Sequence, residues 1–269
     1  MADSVVEKAD QAIGKPARGW RRRIIKARAI VGPAWRRYRA SLFESYLIVA
    51  VVIFSILAIL AHTVAYFTID LTITQAIQEF RGGGFDAIMR FLTWLGYTPQ
   101  GPLLIAFAVL FLYLSGLKWE SVAMLLSNIG ISILGTLIKV IVVRPRPSPD
   151  LVNVITKLPD YGFPSGHVLF FVTLFGFVGF LAFTLLKPSW LRRSIVGICL
   201  ALVFPIGFSR IYLGAHWASD VIAAYLLSSV WLTLTVHFYR WGKIRFFVHQ
   251  PVAKETPQLP QDKPHALMQ

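Results

Sequence analysis

The sequence is dominated by six apolar runs, each close to the roughly twenty residues that an α-helix needs to cross the ~30 Å hydrocarbon layer of a bilayer. Inside a bilayer every backbone polar group has to be hydrogen-bonded internally, so such runs fold as helices. The composition agrees, because 56% of the residues are hydrophobic and 15% are charged, against about 45–50% and 25% in soluble domains. We therefore predict an all-α, polytopic membrane protein built as a six-transmembrane-helix bundle. The predicted spans are residues 45–67, 100–116, 120–141, 166–186, 193–212 and 218–239.

The distribution of basic residues predicts the orientation of this bundle. A formal net charge of +14 would suggest nucleic-acid binding in a soluble protein. Eleven of the 27 basic residues precede Glu44, however, where the cytoplasmic flank of a first span would carry them. With both termini in the cytoplasm, 20 of the 27 lie on the cytoplasmic side, as the positive-inside rule requires. We therefore expect an integral protein of the plasma (inner) membrane without a nucleic-acid partner.

The spans also define the organisation of the chain. Residues 45–240 are predicted to form one membrane domain between a basic N-terminal tail, residues 1–44, and a cytoplasmic C-terminal tail, residues 241–269. Residues 15–40 interleave arginines with Ile, Ala and Trp, which fits a basic helix lying on an anionic leaflet as well as it fits a solvated, disordered tail. Residues 69–99 are expected outside, as two short amphipathic stretches that either cover the outer end of the bundle or gate lipid entry.

Seven basic residues remain on the outer side in this orientation, where the topology disfavours them. They are Arg81, Arg90, Lys139, Arg144, Arg146, Lys157 and Arg210. A cation near the bilayer centre costs about 2.5–3.5 kcal/mol even on the lenient insertion scale, yet Lys139 and Arg210 lie toward the ends of apolar helices. Lys139 is roughly two helical turns before Arg146, and the proline after each of Arg144 and Arg146 ends the helix there. Because guanidinium and ammonium groups suit phosphate oxygens, we favour an anion site over simple snorkelling of juxtamembrane side chains.

A second pattern at the same outer edge is Pro-Ser-Gly-His at residues 164–167, directly before an apolar run. Ser165 is a candidate N-cap, and Gly166 allows the backbone to approach a ligand closely. A helix N-terminus attracts anions, and His167 would stand beside such an anion. Taken alone, the pattern is equally compatible with a histidine in a helix cap.

The third pattern is Ser-Arg at residues 209–210, followed by His216 and Asp220. His216 and Asp220 are four residues apart, so on a helix they share one face. The aspartate can accept a proton from one imidazole nitrogen and leave the other as a base or nucleophile. A structural His–Asp pair is the alternative. Together, however, the three patterns place cations, a helix N-terminus, two histidines and an aspartate at one membrane edge, which describes a site for a tetrahedral oxyanion.

These residues closely resemble the type 2 phosphatidic acid phosphatases, the lipid phosphate phosphatase superfamily that shares its site with the vanadium haloperoxidases. The family has three motifs: lysine, six residues, Arg-Pro; then Pro-Ser-Gly-His; then Ser-Arg, five residues, His, three residues, Asp. They correspond here to residues 139–147, 164–167 and 209–220, with every motif position matched. The six-span arrangement extends the likeness over residues 45–240 and leaves both tails uncovered.

The resemblance implies a hydrolase with a role for each motif residue. His216 would attack phosphorus and form a phosphohistidine with Asp220 orienting it, and His167 would protonate the leaving lipid oxygen and then activate water. The groups that would hold the phosphate are Lys139, Arg146, Arg210 and the N–H groups around Ser165 and Gly166. No metal and no cofactor is expected, because the cations would replace the Mg²⁺ that other phosphoryl-transfer enzymes use. Arg144 occupies one of the six unspecified positions of the first motif, and its role stays open.

Several alternatives remain open for the substrate and the reaction. The site suits phosphatidic acid, phosphatidylglycerol phosphate or an undecaprenyl pyrophosphate, and it suits a phosphotransferase that passes the phosphoryl group to another lipid. A catalytically silent lipid-binding protein would have no need for the two histidines and the aspartate. Membrane embedding disfavours a water-soluble substrate, and charges at one membrane face rather than at the midplane disfavour a transporter. The sequence gives no oligomeric state.

Overall fold

The computed structural model describes residues 33–80 and 82–247, and within these ranges the chain forms eight helices and no strand. The helices are α1 (Pro33–Thr63), α2 (Thr68–Gln78), α3 (Gly83–Trp94), α4 (Gln100–Leu114), α5 (Lys118–Val142), α6 (Gly166–Leu185), α7 (Trp190–Tyr212) and α8 (Ala218–Phe247). The all-α prediction is thus confirmed for the described residues, and the two amphipathic stretches predicted between residues 69 and 99 correspond to α2 and α3.

Five of these helices, α1, α5, α6, α7 and α8, are long and apolar enough to cross a membrane. Large apolar side chains cover their outer surfaces, as at Ile141 and Phe204, which are 71% and 72% exposed. In water such a surface would be unfavourable by about 25 cal/mol for each Å² of apolar area. Because it belongs to helices of membrane-spanning length, it fits contact with lipid chains, and the protein is an integral membrane protein.

The predicted second span does not reach this length. It corresponds to α4, whose 15 residues give about 22 Å at 1.5 Å per residue, short of the ~30 Å of a bilayer core. The helix begins only after the turn at Pro99 and ends at Leu114, before the positive-φ Gly116. The structure therefore has five helices of spanning length among its described residues, and the sixth crossing stays a prediction.

The helix bounds differ from the predicted domain bounds at both ends. Helix α1 begins at Pro33, inside the predicted N-terminal tail, and α8 continues to Phe247, inside the predicted C-terminal tail. Near its end α8 is held to α5, because Lys243 Nζ lies 2.7 Å from Oε1 of the buried Glu120. The remainder of both tails, residues 1–32 and 248–269, lies outside the described residues, and with it most of the predicted basic helix.

Helix α6 lies at the centre of the bundle. It packs against α5, α7 and α8 and is the most buried of the five long apolar helices, which explains why it is apolar on every side. Phe171 and Phe177 on this helix are fully buried. The short helices α2 and α3 pack on α7, so the amphipathic segment covers the end of the bundle where α7 finishes and α6 and α8 begin.

Helix α7 carries a break in its hydrogen-bond ladder shortly before the Ser-Arg motif. Pro205 has no N–H to donate, and the Tyr225 hydroxyl from α8 is inserted between two backbone groups of α7. It accepts the Gly207 N–H at 3.1 Å and donates to the Val203 carbonyl at 2.7 Å. In an unbroken helix these two groups would bond each other. The Tyr225 side chain of α8 therefore provides hydrogen-bond partners for two backbone groups of α7 next to the Ser-Arg motif.

We predict that Tyr225→Phe destabilises the protein by about 1–3 kcal/mol, because it leaves the Gly207 N–H and the Val203 carbonyl without a partner in a region without water. Thermal unfolding in detergent would show a midpoint several degrees lower. Tyr113→Phe is the control, since Tyr113 is 53% exposed and its hydroxyl makes no recorded hydrogen bond. Equal midpoints for the two variants would contradict the bridging role.

Candidate active site at the end of the bundle

The structure brings the eight predicted site residues to one end of the bundle. Lys139 lies in the last turn of α5 and Arg210 in the last turn of α7, whereas His167 and Asp220 lie in the first turns of α6 and α8. The other four are Arg146, Ser165, Gly166 and His216, in the connections or at the start of α6. Three sequence patterns separated by tens of residues thus converge, as the sequence predicts.

His216 is buried, at 1% exposure, in the turn between α7 and α8. Its Nδ1 lies 2.7 Å from the carbonyl oxygen of Gly162, and its Nε2 lies 3.0 Å from a terminal guanidinium nitrogen of Arg146. A carbonyl only accepts hydrogen bonds and a guanidinium only donates them. The neighbours therefore fix the neutral tautomer with the proton on Nδ1, and they leave the lone pair on Nε2, facing the cations.

The surroundings also keep His216 uncharged. Burial lowers the pKa of its imidazole well below the ordinary value, and the nearby charges of Arg146, Arg210 and Lys139 lower it further. A neutral imidazole is the form that can act as a nucleophile. The cations that would attract a phosphate group thus add to burial in lowering the pKa of this imidazole.

The hydrogen bond predicted between His216 and Asp220 is not formed in this structure. The Asp220 Oδ2 atom lies 3.7 Å from Nδ1, beyond hydrogen-bond distance. The carboxylate is engaged elsewhere, because Oδ2 accepts the Trp217 N–H at 3.0 Å and Oδ1 is 2.5 Å from Arg144. The Gly162 carbonyl is therefore the group hydrogen-bonded to Nδ1, and the Asp220 carboxylate lies near the imidazole without a hydrogen bond to it.

Arg144, whose role the sequence left open, is the hub of a buried ion network. It is 0% exposed and pairs with Asp220 and with Asp70, whose Oδ2 lies 2.9 Å away. It also donates to the Ser219 hydroxyl at 2.7 Å, and Ser219 in turn donates to Asp70 through both its N–H and its hydroxyl. A cation buried this deeply needs paired carboxylates, and these tie α2 to the start of α8.

The end of α5 delivers Arg144 into this network. Val143 closes the helix in the left-handed conformation, with φ 54° and ψ 30°, which a β-branched side chain adopts only at a cost of about 1–3 kcal/mol. The chain then turns away from the helix axis, so that Arg144 is buried while Arg146, two residues on, reaches His216. Of the two arginines in the Arg-Pro-Arg-Pro sequence, Arg144 thus belongs to the buried ion network and Arg146 to the candidate site.

A second cluster, around Thr93 of α3, holds Arg210 and His167. The Thr93 hydroxyl accepts a hydrogen bond from Arg210 at 3.0 Å, and its carbonyl oxygen lies 3.1 Å from His167 Nε2. His167 packs against the ring of Tyr97 and against the backbone of Gly96, where a Cβ atom would lie 2.5 Å from the imidazole. His167 therefore keeps Nδ1 free for a proton transfer, and only glycine fits at position 96.

Two buried groups at the site have no hydrogen-bond partner among the described residues. They are the Nε and one terminal nitrogen of Arg210, and the hydroxyl of Ser165, which occupies the N-cap of α6 without making a capping hydrogen bond. A Cβ atom built at Gly166 would meet no heavy atom within 4 Å, so there is open space beside this helix N-terminus. Unpaired buried donors are costly, and together with the free helix N–H groups they suit an incoming anion.

Lys139 and Arg146 are both paired with Asp160, a residue of the loop between α5 and α6. The Lys139 ammonium lies 2.6 Å from one carboxylate oxygen, and the Arg146 guanidinium lies 2.5 Å from the other. Burial alone would raise the pKa of the Asp160 carboxyl, but these two cations lower it to about 2. Two of the three predicted phosphate-binding cations are therefore already paired with one carboxylate, which offsets one of their two positive charges.

Sequence reasoning missed four contributors: Asp70, Thr93, Asp160 and Gly162. Three of them, Thr93, Asp160 and Gly162, act through backbone carbonyl groups as well as, or instead of, side chains, and a carbonyl has no signature in the sequence. Asp70 alone gave a usable signal, because an acid at the start of the apolar α2 requires a partner, and Arg144 was a cation whose role the sequence left open.

The fold and the site define a class of protein: an integral membrane protein that carries, at one end of its helices, a neutral buried histidine facing three cations. Residues 119–244 match the model of the PAP2 superfamily, and this range contains all eight predicted site residues. Just under half of the chain, including the whole candidate site, is therefore similar to the PAP2 superfamily.

Comparison with individual proteins agrees with this assignment. The chain is 33% identical over 129 residues to the undecaprenyl-diphosphatase of Sulfolobus acidocaldarius, covering 46% of this chain and 57% of that protein. It is 33% identical over 171 residues to lipid phosphate phosphatase delta of Arabidopsis thaliana, covering 59% of this chain and 40% of that protein. The match thus covers less than two thirds of the length of either relative.

A solved structure matches over a larger share. The crystal structure of the transmembrane PAP2 type phosphatidylglycerolphosphate phosphatase from Bacillus subtilis superposes with a TM-score of 0.65 at 25% identity. The match covers 75% of this chain and 98% of that chain. The bundle therefore has the fold of a PAP2 membrane phosphatase.

We predict that Arg144→Gln destabilises the protein by about 3–5 kcal/mol, because it leaves two buried carboxylates without their cation. The matched control is Arg90→Gln, which breaks an exposed pair with Asp86 and should cost less than about 1 kcal/mol. Unfolding in detergent, followed by circular dichroism, measures both. Similar losses in the two variants would mean that the buried network does not hold this end of the bundle together.

Proposed function

We propose that this protein is a membrane phosphatase that hydrolyses phosphate monoesters or pyrophosphates of lipids through a phosphohistidine intermediate. The observation that carries the proposal is the environment of His216. Its Nδ1–H is fixed by the Gly162 carbonyl, and its Nε2 lone pair faces Arg146 with Lys139 and Arg210 nearby. A neutral nucleophile beside cations suits attack on a phosphate group more than on any other ester.

The proposed reaction has two steps. In the first, His216 Nε2 forms a bond to phosphorus while the bond from phosphorus to the lipid oxygen breaks, and protonated His167 gives its Nδ1 proton to that oxygen. In the second, His167 takes a proton from water, whose oxygen attacks phosphorus as the P–N bond breaks and phosphate leaves. The unpaired donors of Arg210 and the N–H groups at the start of α6 would hold the equatorial oxygens. We propose that the cations of the site stabilise the negative charge of the phosphate group during the reaction and that no metal ion takes part.

A groove beside the site supports a lipid as the substrate. Its volume is about 260 Å³, and it runs between α4, α5 and α6 from Lys139 and Gly166 down to Asn128, more than two helical turns below Lys139. Small residues, among them Ser132 and Gly135, line the side of the groove that α5 forms. Such a groove fits part of an alkyl or isoprenyl chain whose phosphate lies among the cations.

The relatives name three lipid substrates: an undecaprenyl diphosphate, a lipid phosphate and phosphatidylglycerol phosphate. All three present a terminal phosphate on an apolar anchor, which is the chemistry that the site and the groove suit. We propose this substrate class for the chain, with phosphatidic acid included.

We further propose that α4 crosses the membrane as a sixth span, which puts both termini in the cytoplasm and the site on the extracytoplasmic face. The charge distribution supports this arrangement, because 20 of the 27 basic residues then lie inside. The local thinning or snorkelling that accommodates a short span costs fractions of a kcal/mol per Å. We propose the plasma (inner) membrane as the location of the protein.

We predict that His216→Ala lowers phosphate release from these lipids by roughly 10⁴-fold or more, because the reaction loses its nucleophile. The purified protein would be assayed in detergent with EDTA present, on phosphatidic acid, phosphatidylglycerol phosphate and undecaprenyl pyrophosphate. His237→Ala is the control, since His237 is an exposed histidine on α8. Activity of the His216 variant within tenfold of wild type would overturn the nucleophile assignment, and a strict metal requirement would overturn the metal-free mechanism.

We predict that Ser132→Phe lowers kcat/KM for a long-chain lipid phosphate by about tenfold, because the ring fills the groove, and leaves a short water-soluble phosphomonoester unaffected. Ile133→Phe is the matched control, because Ile133 is the adjacent residue, is 56% exposed and does not line the groove. An equal loss on both substrates would show that the groove does not take the lipid chain.

A further inference from the structure

Three successive carbonyl groups in the loop before α6 each accept a hydrogen bond from a motif side chain. The Asp160 carbonyl accepts from Arg146 Nε, the Tyr161 carbonyl accepts from Lys139, and the Gly162 carbonyl accepts from His216, all at 2.7 Å. The backbone of segment 160–162 therefore contacts His216 and two cations, although the segment lies outside all three motifs.

The Asp160 side chain adds a second set of contacts to the same two cations. One carboxylate oxygen pairs with Arg146 and the other with Lys139. The side chains of Lys139 and Arg146 are only 14% and 11% exposed, whereas that of Asp160 is 50% exposed. The carboxylate thus lies on the more exposed side of the two cations and occupies donors that an incoming phosphate would use.

A carboxylate in this position uses the donors that a phosphate group needs. Its two oxygens mimic two phosphate oxygens in both charge and spacing, and they accept charge-assisted hydrogen bonds from the same groups. The pKa of the Asp160 carboxyl is lowered to about 2 by Lys139 and Arg146, against the effect of burial. The group is therefore ionised throughout the pH range of an ordinary assay.

The two sets of contacts can separate. Rotation of the Asp160 side chain about its Cα–Cβ bond would free one donor on Lys139 and one on Arg146, while the backbone carbonyls at 160 and 161 keep both cations in place. The Gly162 N–H also bonds the Arg144 carbonyl at 2.8 Å, so the backbone of this segment is anchored independently of the carboxylate.

We propose that Asp160 is an internal competitor for the phosphate site: its carboxylate occupies Lys139 and Arg146 when the site is empty, gives way to the phosphate group of a ligand, and returns when phosphate leaves. This inference rests on the proposed function. Asp160 is then an affinity-setting residue. It weakens the binding of every phosphate ligand, and it favours release of the inorganic phosphate that would otherwise remain among three cations.

The test is the affinity of the purified protein for inorganic phosphate and for vanadate, measured by isothermal titration calorimetry in detergent. Asp160→Asn should bind both about tenfold more tightly than wild type, because a neutral amide competes poorly for the cations. Tighter binding is a readout that mere damage to the site would not produce. In turnover, the KM for a lipid phosphate should fall and kcat should not rise.

The matched control is Asp150→Asn, which removes the same charge from the same loop at an exposed position with no recorded ion pair. Equal affinities in the two variants, or weaker binding in Asp160→Asn than in wild type, would overturn the competitor role. Absence of phosphate and vanadate binding in wild type and Asp160→Asn would overturn the inference and the proposed function together. Phosphate binding without hydrolysis of any lipid would overturn the proposed function alone.

Discussion

The functional end of the bundle depends on one buried cation. Arg144 is inaccessible to solvent and lies between the carboxylates of Asp70 and Asp220. Removing such a guanidinium from water is favourable only if its charge is matched and its donors are satisfied. Its contacts therefore fix the relative positions of α2, the end of α5 and the start of α8.

Each step from Arg144 to His216 is a contact of the structure. Asp220, held by Arg144, accepts the Trp217 N–H and so closes the turn that contains His216. The Arg144 carbonyl binds the N–H of Gly162, and the Gly162 carbonyl binds His216 Nδ1. A Cβ at Gly162 would lie 3.2 Å from Asp220 and 3.6 Å from the Arg144 carbonyl, so this approach leaves little room for a side chain. The buried ion network around Arg144 thus lies directly beside the candidate site around His216.

How much of this could be predicted differs between side chains and backbone. Lys139, Arg146 and Arg210 could be predicted because a cation on the wrong side of a membrane, at the end of an apolar helix, needs an explanation. His216 and Asp220 were predicted from their four-residue spacing, although His216 lies in the turn before α8 and not on the helix, and His167 was predicted from the Pro-Ser-Gly-His pattern before an apolar run. The Gly162 carbonyl could not be predicted, since every residue has one and only the folded loop decides which carbonyl meets the imidazole. For the same reason the sequence assigned the orienting role to Asp220, the only visible acceptor.

The length of α4 depended on where turns begin and end, which hydropathy locates poorly.

The replacement of Asp220 by a carbonyl as the partner of His216 has an electrostatic consequence for the proposed reaction. A neutral acceptor fixes the tautomer without attracting a second proton, so the cations can keep the ring uncharged in the empty site. When Nε2 bonds to phosphorus, the imidazole becomes cationic, and a carboxylate 3.7 Å from Nδ1 then attracts it by about 4 kcal/mol at an effective dielectric constant of 20. Arg144 offsets part of this attraction, because it shares the same carboxylate. Asp220 would therefore stabilise the phosphorylated state more than the free nucleophile, which is the difference that lowers a barrier.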